Sequence, residues 1–462
     1  MRTQTVLSRL PLGVLAACLA SALALPTPAS ATTFHVDQCA DTGAGSLRAV
    51  IGDPAMVDGD VVDLDHVPLT CSTITLDQGE IVVAHNISVI DSASRPAMLK
   101  ISGNQASRVF NHSIPGTFTI DRVELTDGLF SASTANAYGG CIYSAGSVTL
   151  DHAVVSHCTT DYSGASTTFR SNGGGVFARG TVELIFSRVS DNTASSDASL
   201  SSGGGVFAQT YLNAKYSSIA GNTARYGAGA ATGLSSQGAL IVASTIETNH
   251  AVDGGWGLQV SGDSSMSSVT IINSSVSGNT SNTQQLSALS GAITVARVPS
   301  ILIANSTIAF NQSDGNLSGA GLAIWGVSVP AALTLRNAIV AENTNGNGSA
   351  DLYFKQDPTG TSTLDGSNNL VMASDIPPGM SLPSDTLSDP PLLGQLAYNG
   401  GPTRTNALLA GSPAIDAGDT STSGFDQRGP CYPRTVGNDV PAKVDIGAYE
   451  FDDDKVSCNG FD

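Results

Sequence analysis

A short ending recurs through the middle of the chain: a β-branched residue, two variable residues and an asparagine. The six full copies end at Asn192, Asn222, Asn249, Asn279, Asn311 and Asn343. Successive endings lie 27 to 32 residues apart, and an earlier variant ends at Cys158. Self-similarity at this spacing is typical of a repeat protein whose loops vary in length.

Aligning the copies on the asparagine places apolar residues ten, eight and three positions before it. The column ten before holds Val148, Val182, Leu212, Ala239, Val269, Ile301 and Leu333. These positions alternate with polar ones at a period of two, which indicates inward faces of strands. Most copies open with glycines, as in Gly173-Gly174-Gly175-Val176-Phe177. Each repeat is therefore predicted to contain three short strands separated by turns.

Such a unit has one apolar face and no partner for it. Coiling the chain so that each strand pairs with its counterpart in the next coil, about 4.8 Å away, resolves both problems. We therefore predict an all-β, right-handed parallel β-helix of pectate-lyase-like architecture. The asparagines then form a ladder of stacked amides. A second column, six positions earlier, holds Asn273, Asn305 and Asn337 in the last three copies.

Composition and charge argue against other fold classes and against some classes of partner. Abundant Gly, Ser, Thr and Asn argue against an all-α fold. The chain has 20 Lys+Arg against 39 Asp+Glu, a net charge of −19. Phosphate backbones and anionic lipids repel such a chain, so we expect no nucleic-acid partner. We also expect a monomer without cofactor or metal ion.

Residues 1–31 have the pattern of an export signal. Arg2 and Arg9 precede an apolar run, and Ala29-Ser30-Ala31 forms a small-residue cleavage site. The alternative is a lipoprotein, because Leu15-Ala16-Ala17-Cys18 is similar to a lipidation box. No other run approaches the roughly 20 apolar residues of a membrane span. The protein is thus predicted to be secreted or attached to the cell surface.

Six cysteines follow the leader, an even number that suggests disulfides in an exported chain. Local pairing is the simplest arrangement: Cys39–Cys71, Cys141–Cys158 and Cys431–Cys458. For the middle pair, two buried thiols are the alternative.

Both ends of the chain resemble blocks of exported bacterial β-helix proteins. The segment Cys39 to Ile51, with Gly-Ser-Leu-Arg-Ala-Val at 45–50, resembles the N-terminal block named for a CSLREA signature, although the cysteine lies upstream and the glutamate is missing. The motifs Asn-Gly-Gly-Pro-Thr-Arg-Thr at 399–405, Gly-Ser-Pro-Ala-Ile-Asp-Ala-Gly at 411–418, Asp-Gln-Arg-Gly at 426–429 and Asp-Ile-Gly-Ala-Tyr-Glu at 445–450 are similar to the choice-of-anchor Q block. The resemblance implies export and a β-helix, and it transfers no catalytic residues.

These observations divide the chain into five parts. After the signal peptide, residues 32–97 are predicted to be an N-terminal cap with the first coils, and residues 98–345 the β-helix repeats. Residues 346–390, rich in Asn, Gly, Asp, Ser and Pro, are predicted to be an irregular loop segment. Residues 391–462 are predicted to cover the open strand edges of the last coil.

Candidate functional residues are few. His157 and Asp191 fall in the column just before the asparagines, where they form either an acid–base pair or an incidental surface ion pair. Trp256 and Trp325 are candidates for stacking on a sugar ring, against the alternative of single surface or loop aromatics.

The leading functional hypothesis is an exported, non-catalytic protein with an extended polar surface for contact with polysaccharides or cell-surface glycans, in an adhesion or envelope role. The first alternative is a polysaccharide lyase or glycoside hydrolase of pectate-lyase-like fold. The second is a purely structural envelope component.

Overall fold

The computed structural model describes residues 31–196, 200–252, 254–262, 266–282, 290–315, 321–358, 360–419, 424–434 and 443–451. Over these residues the chain winds into a parallel β-helix whose interior is one continuous apolar core. The predicted all-β fold is confirmed. The signal-peptide prediction concerns residues 1–31, of which 1–30 lie outside the described residues.

Four long sheets run along the β-helix, and most coils contribute one strand to each. In the described residues, sheet A has 12 strands: Thr33–His35, Val61–Asp63, Ser88–Ile90, Thr117–Asp121, Ser147–Asp151, Thr181–Ile185, Tyr211–Lys215, Gly238–Val242, Ser268–Ile272, Ser300–Ala304, Ala332–Arg336 and Thr363–Ser367. Over the same residues, sheet B has 11: Thr73–Thr75, Leu99–Ser102, Val123–Thr126, Val154–Ser156, Arg188–Ser190, Ser218–Ala220, Thr245–Glu247, Ser275–Ser277, Thr307–Ala309, Ile339–Ala341 and Leu370–Val371.

The other sheets complete each coil. Sheet C has 11 strands within the described ranges: Ile81–Val83, Phe110–His112, Ile142–Ser144, Val176–Ala178, Val206–Ala208, Ala230–Thr232, Leu258–Ser261, Ile293–Ala296, Leu322–Gly326, Leu352–Gln356 and Ser374–Asp375. Sheet D, counted over those ranges, has 9: Leu129–Ala132, Thr159–Tyr162, Thr193–Ser196, Thr223–Ala224, His250–Ala251, Thr280–Ser281, Gln312–Ser313, Thr344–Asn345 and the antiparallel Gly348–Ser349. Two small sheets comprise Ala137–Tyr138, Ser171–Asn172 and Ser201–Ser202, and Leu393–Ala397 with Thr405–Leu408.

The apolar columns of the sequence lie in register inside the β-helix. Val148 pairs with Val182 and Leu150 with Leu184 on neighbouring strands of sheet A. All four side chains are fully buried. Burying each such side chain contributes roughly 1.5–3 kcal/mol, so the repeated columns supply the main driving force for coiling.

The glycine-rich openings lie where neighbouring coils approach most closely. Gly173 has a φ of 67°, a conformation that glycine adopts without a steric cost. A Cβ atom on Gly174 would collide with the carbonyl oxygen of Gly204 in the next coil. Only glycine therefore allows this approach of the two backbones.

The six repeat asparagines are fully buried and lie one above another. Asn249 illustrates their bonding: its Nδ2 donates to the Ile219 carbonyl at 3.0 Å and to Asn279 Oδ1 at 2.9 Å. Its Oδ1 accepts the backbone amide and Nδ2 of Asn222, both at 3.0 Å. Each amide thus satisfies buried backbone groups that no water reaches, and it fixes the register of two coils.

The ladder ends on a residue outside the predicted repeats. Asn343 donates from its backbone amide and its Nδ2 to Asp351 Oδ1, at 2.9 and 2.8 Å. Burial raises the pKa of Asp351 to about 6. At the other end, Asn192 Oδ1 accepts the amide of Cys158 at 2.9 Å.

Two of the predicted cysteine pairs are disulfides. Cys39–Cys71 joins Cα atoms 5.8 Å apart, and Cys141–Cys158 joins Cα atoms 5.5 Å apart. The third predicted pair includes Cys458, which lies outside the described residues. Disulfides of this kind suit an oxidising compartment.

A short helix, Leu47–Ile51, closes the N-terminal end of the β-helix. Ser46 caps it by accepting the Ala49 amide at 3.2 Å, and Leu47 and Ile51 are buried. Arg48 fastens it by donating to Asp41 at 2.8 Å. Among the described residues, no helix is long and apolar enough to span a membrane.

Within the segment 346–390, predicted to be irregular, residues 352–375 form a further coil. Their strands Leu352–Gln356, Thr363–Ser367 and Leu370–Val371 pair in parallel with the preceding coil. The prediction was wrong because the ending of this coil is Val371-Met-Ala-Ser374, with serine in place of the asparagine.

The end cap follows directly after this coil. Ile376, Met380 and Leu382 pack against the core as partly buried apolar side chains. They cover the last coil, the role that the sequence had assigned to residues 391–462.

The described residues of 391–451, here called the flank block, lie along the side of the β-helix. The Gly447 amide donates to the Asn337 carbonyl at 2.9 Å. Gln427 accepts Ser275 Oγ at 2.6 Å and donates to Thr245 Oγ1 at 2.9 Å. The prediction of an end cover is thus corrected to a cover over sheet B.

The outward residues of sheet B explain this position. In the covered coils they are small or apolar, namely Thr245, Ser275, Thr307 and Ile339, and all are buried. Earlier coils have Glu124, Val154, Arg188 and Ser218 at the equivalent positions, and all four are only half-buried. An outward Ile339 requires a cover, whereas charged side chains require water.

A buried ionic cluster holds the flank block together. Arg434, which has no exposed surface, donates to the Gly447 carbonyl at 2.9 Å and lies 3.4 Å from Glu450 Oε2. Burial and the neighbouring carboxylate of Asp445 raise the pKa of Glu450 to about 9. Arg428 donates to Asp426 at 2.9 Å and lies between two tyrosine rings.

We expect Asn249→Ala to lower the free energy of unfolding by at least about 3 kcal/mol, because it leaves several buried backbone groups without partners, at about 1–3 kcal/mol each. Urea denaturation followed by far-UV circular dichroism measures the change. The exposed Asn282 provides the control, and Asn282→Ala should leave the midpoint unchanged. Equal midpoints for the two variants would contradict the structural role of the ladder.

Arg434→Met should destabilise the docked flank block by about 3–5 kcal/mol, because it removes the positive charge beside the buried Asp426 and Asp445 and the donor to the Gly447 carbonyl. Hydrogen exchange over residues 403–434 should accelerate accordingly. Lys443→Met is the matched control, because Lys443 and Asp416 form a pair with both side chains 49% exposed. Such a pair contributes about 0–1 kcal/mol. Slow exchange in both variants would show that the cluster is dispensable.

Candidate functional site

The turn between sheets A and B carries a column of residues in the left-handed backbone conformation. Its members, here called the corner column, are Arg122, His152, Phe186, Tyr216, Ala243, Asn273, Asn305, Asn337 and Asn368, with φ between 45° and 57°. The backbone amides of the first eight members donate to a carbonyl of the next coil, as Phe186 does to Lys215 at 3.0 Å, and that of Asn368 donates to Asp385 Oδ2 at 3.1 Å. The repeated geometry places one side chain per coil along the same edge.

The asparagines of the corner column bind the flank block. Asn273 Nδ2 donates to the Phe425 carbonyl at 2.9 Å, and Asn337 Oδ1 accepts the Asp419 amide at 2.7 Å. Asparagine suits this place because it tolerates the left-handed conformation and offers both a donor and an acceptor. The second asparagine column of the sequence therefore serves docking.

The first four members of the corner column lie outside this cover. The boundary is Ala243, whose carbonyl accepts Thr403 Oγ1 of the flank block at 3.2 Å. In the described part of the chain, no hydrogen bond, ion pair or ring contact joins the flank block to Arg122, His152, Phe186 or Tyr216. We call these four residues and their neighbours on the same coils the open corner.

Three rings of the open corner form a stack. The His152 and Phe186 ring centroids are 5.1 Å apart, and those of Phe186 and Tyr216 are 4.8 Å apart. The rings are inclined by only 16° and 4°. Phe186 is 44% exposed, so part of its ring is open to solvent.

Carboxylates lie beside one end of the stack. Asp121 and Asp151 occupy register-matched positions on sheet A. His152 Nδ1 lies 2.6 Å from Asp151 Oδ1, and Arg122 donates to Asp121 Oδ2 at 2.7 Å. Burial raises the pKa of Asp121, and the nearby Asp151 acts in the same direction. This corner can therefore hold, donate or accept a proton.

Further polar groups continue along the outer face of sheet A. Asn213 donates to Glu183 at 2.7 Å, and Lys215 lies 3.5 Å from the same carboxylate. These half-buried side chains lie on the same coils as Phe186 and Tyr216. The open corner thus combines an apolar ridge with a row of hydrogen-bonding groups.

Such a surface offers aromatic contact and directed polar partners side by side. A sugar unit has apolar C–H patches and a rim of hydroxyl groups, so it needs aromatic contact and directed polar partners together. Successive rings are about one coil rise apart.

The predicted pair His157 and Asp191 belongs to a different turn. Its column comprises His157, Asp191, Gly221, Thr248, Gly278, Phe310 and Glu342, all with φ between 52° and 67°. Both candidate side chains are exposed. In the described structure, neither a hydrogen bond nor an ion pair joins them. This column serves the backbone turn, and the structure brings no acid–base pair together there.

The two tryptophans lie away from the open corner. Trp256 is 1% exposed, and its Nε1 donates to Ser290 Oγ at 2.7 Å, so its ring cannot stack on a sugar. This corrects the sequence prediction, because the glycine-rich segment around it folds inward. Trp325 is half-buried, and the Lys355 ammonium lies 4.7 Å from its ring centroid.

The sequence contained a signal for the open corner that the prediction did not use. His152, Phe186 and Tyr216 lie six residues before the repeat endings, in the same column as Asn273, Asn305 and Asn337. Reading this column toward the N-terminus would have found the aromatic residues. Asp121 and Asp151 precede this column by one residue.

Neither a protein-family model nor a curated protein sequence matches the chain. Among solved structures, the crystal structure of the pectate lyase Pel9A aligns with a TM-score of 0.42 and 15% sequence identity. The alignment covers 91% of this chain and 98% of that chain. The strand pairing of the chain itself defines its fold.

Proposed function

We propose that this is an exported β-helix protein that binds an extended glycan along the open corner without cleaving it. The exposed stack of His152, Phe186 and Tyr216 beside register-matched carboxylates carries this proposal. The flank block leaves these coils uncovered while it covers the later ones. A contact role in adhesion or in the cell envelope follows from this arrangement.

The charges of the site narrow the class of glycan. The chain has a net charge of −19, and Asp121, Asp151 and Glu183 lie at the open corner. Polyuronates are repelled by such a surface at long range. Neutral glycans and glycans with free amino groups are therefore the favoured ligands.

Export rests on three independent features. Residues 1–31 have the pattern of a leader, the two disulfides suit an oxidising compartment, and both terminal blocks resemble exported proteins. The backbone nitrogen of Thr32 also donates to Asp60 Oδ1 at 2.8 Å, and Asp60 is 1% exposed. Cleavage after Ala31 would place a charged α-amino group against this buried carboxylate, which strengthens the bond.

We expect the purified exported protein to begin at Thr32, as measured by intact mass and N-terminal sequencing. Asp60→Asn should lower the stability of the cleaved chain, because the new α-amino group loses its counter-charge, whereas Asp389→Asn at an exposed position should not. A lipid-modified chain that begins at Cys18 would contradict cleavage after Ala31, and Cys18→Ser would then release the protein from the membrane fraction.

Phe186→Ala should weaken binding to a responsive neutral or amino-sugar polysaccharide at least tenfold, because it interrupts the aromatic ridge. Affinity electrophoresis and calorimetry measure the loss. Tyr398→Ala is the matched control, because Tyr398 is a 62% exposed aromatic residue of the flank block. Equal affinity of the two variants would contradict binding at the open corner.

A polysaccharide lyase or hydrolase is the second candidate. The trio Asp121, Asp151 and His152 favours it, because a carboxyl group with a raised pKa beside a histidine–carboxylate pair can perform acid–base chemistry. Depolymerisation of a polysaccharide by the wild type, lost in Asp151→Asn while binding persists, would establish the enzyme. A glycan array without any ligand would instead support a purely structural envelope component.

A further inference from the structure

We propose that His35, Asp63 and His66 form a binding site for a divalent first-row transition-metal ion, zinc in particular. The site lies on the first two strands of sheet A and the turn that follows the second, and its Asp63 lies two coils before Asp121 of the open corner in the same column. It is independent of the proposed glycan binding.

The fold brings the three side chains together through strand register. His35 ends the first strand of sheet A and pairs directly with Asp63 on the second. His35 Nδ1 lies 2.9 Å from Asp63 Oδ2. One donor atom from each of the three residues lies within 4.8 Å of the other two.

The distances between these donor atoms are close to the distances between ligand atoms around a bound ion. Zinc binds imidazole nitrogen at about 2.0–2.1 Å and carboxylate oxygen at about 2.0–2.2 Å, so its ligand atoms lie roughly 3–4 Å apart. The His35 side chain is 45% exposed, and His66 is exposed as well. Because the lone pair of a ring nitrogen lies in the plane of its ring, the two stacked rings must rotate out of their parallel arrangement to face one ion.

The carboxylate is already oriented for this role. Asp63 Oδ1 accepts the Asp65 amide at 2.9 Å, which leaves Oδ2 directed at His35. The His35 and His66 rings stack with centroids 4.1 Å apart, so both imidazoles stay beside that oxygen. Oriented carboxylates of this kind raise the affinity of metal sites.

The donor set selects the class of metal. Two imidazole nitrogens and one carboxylate oxygen suit zinc, nickel and copper, whereas calcium and magnesium require oxygen ligands. Three protein ligands leave a coordination position for water. An ion here would tie the edge strand Thr33–His35 to its single neighbour Val61–Asp63.

A second cluster is less suited to such an ion. Asp121, Asp151 and His152 also lie within 4.8 Å of one another. They contain a single imidazole, and the Arg122 guanidinium binds Asp121 at 2.7 Å. The positive charge of Arg122 opposes a cation at that place.

Calorimetric titration of the chelator-treated protein with zinc chloride tests the proposal. We expect one site per chain and at least tenfold weaker binding in His66→Ala, a variant that removes no hydrogen bond of the described structure. His85→Ala is the matched control, because His85 pairs with Asp58 alone at 3.6 Å. Zinc should also slow hydrogen exchange at residues 33–36 in the wild type and in His85→Ala, and not in His66→Ala.

The site would be overturned by no zinc binding by the wild type, by unchanged affinity in His66→Ala, or by binding that His152→Ala abolishes. Circular dichroism of each variant verifies that the β-helix is intact. Asp63→Asn removes a second metal ligand, because asparagine keeps the shape of aspartate but lacks its negative charge. Wild-type affinity in Asp63→Asn would equally contradict the proposal.

Discussion

The buried asparagine ladder is the interaction on which the rest of the structure depends. Each amide side chain joins two coils and satisfies backbone groups sealed from water, so a shift of one residue would leave several polar groups unpaired. The register set by Asn222 and its counterparts extends to every other column. The apolar interior, the corner column and the docking face of the flank block all inherit their alignment from it.

The corner column shows how one backbone position serves two purposes. In the later coils it holds asparagines such as Asn273 and Asn337, which bind the flank block. In the earlier coils it holds His152, Phe186 and Tyr216, whose rings stack outside that cover. The backbone is the same in both halves, so the choice of side chain alone decides between internal docking and an outward surface.

The sequence sufficed for the β-helix because periodic apolar columns and the Val/Ile-x-x-Asn endings both follow from coil register. It failed at the last coil, where Ser374 replaces the asparagine, and at Trp256, whose burial depends on how a glycine-rich segment folds. The position of the flank block was not predictable from local patterns, since it rests on contacts such as Gln427 with Ser275, 152 residues apart. The aromatic residues of the open corner could have been predicted from their column in the sequence. The outward, apolar Ile339 could likewise have predicted that sheet B is covered there.

Over the described residues, the flank block binds a fixed set of coils, from Ala243 to Asn368, and makes no hydrogen bond to the coils before them. Insertion or loss of a whole coil upstream of Ala243 would therefore preserve every one of its contacts. Evolution or design can therefore lengthen the uncovered part of the β-helix one coil at a time, while the contacts of the flank block stay the same.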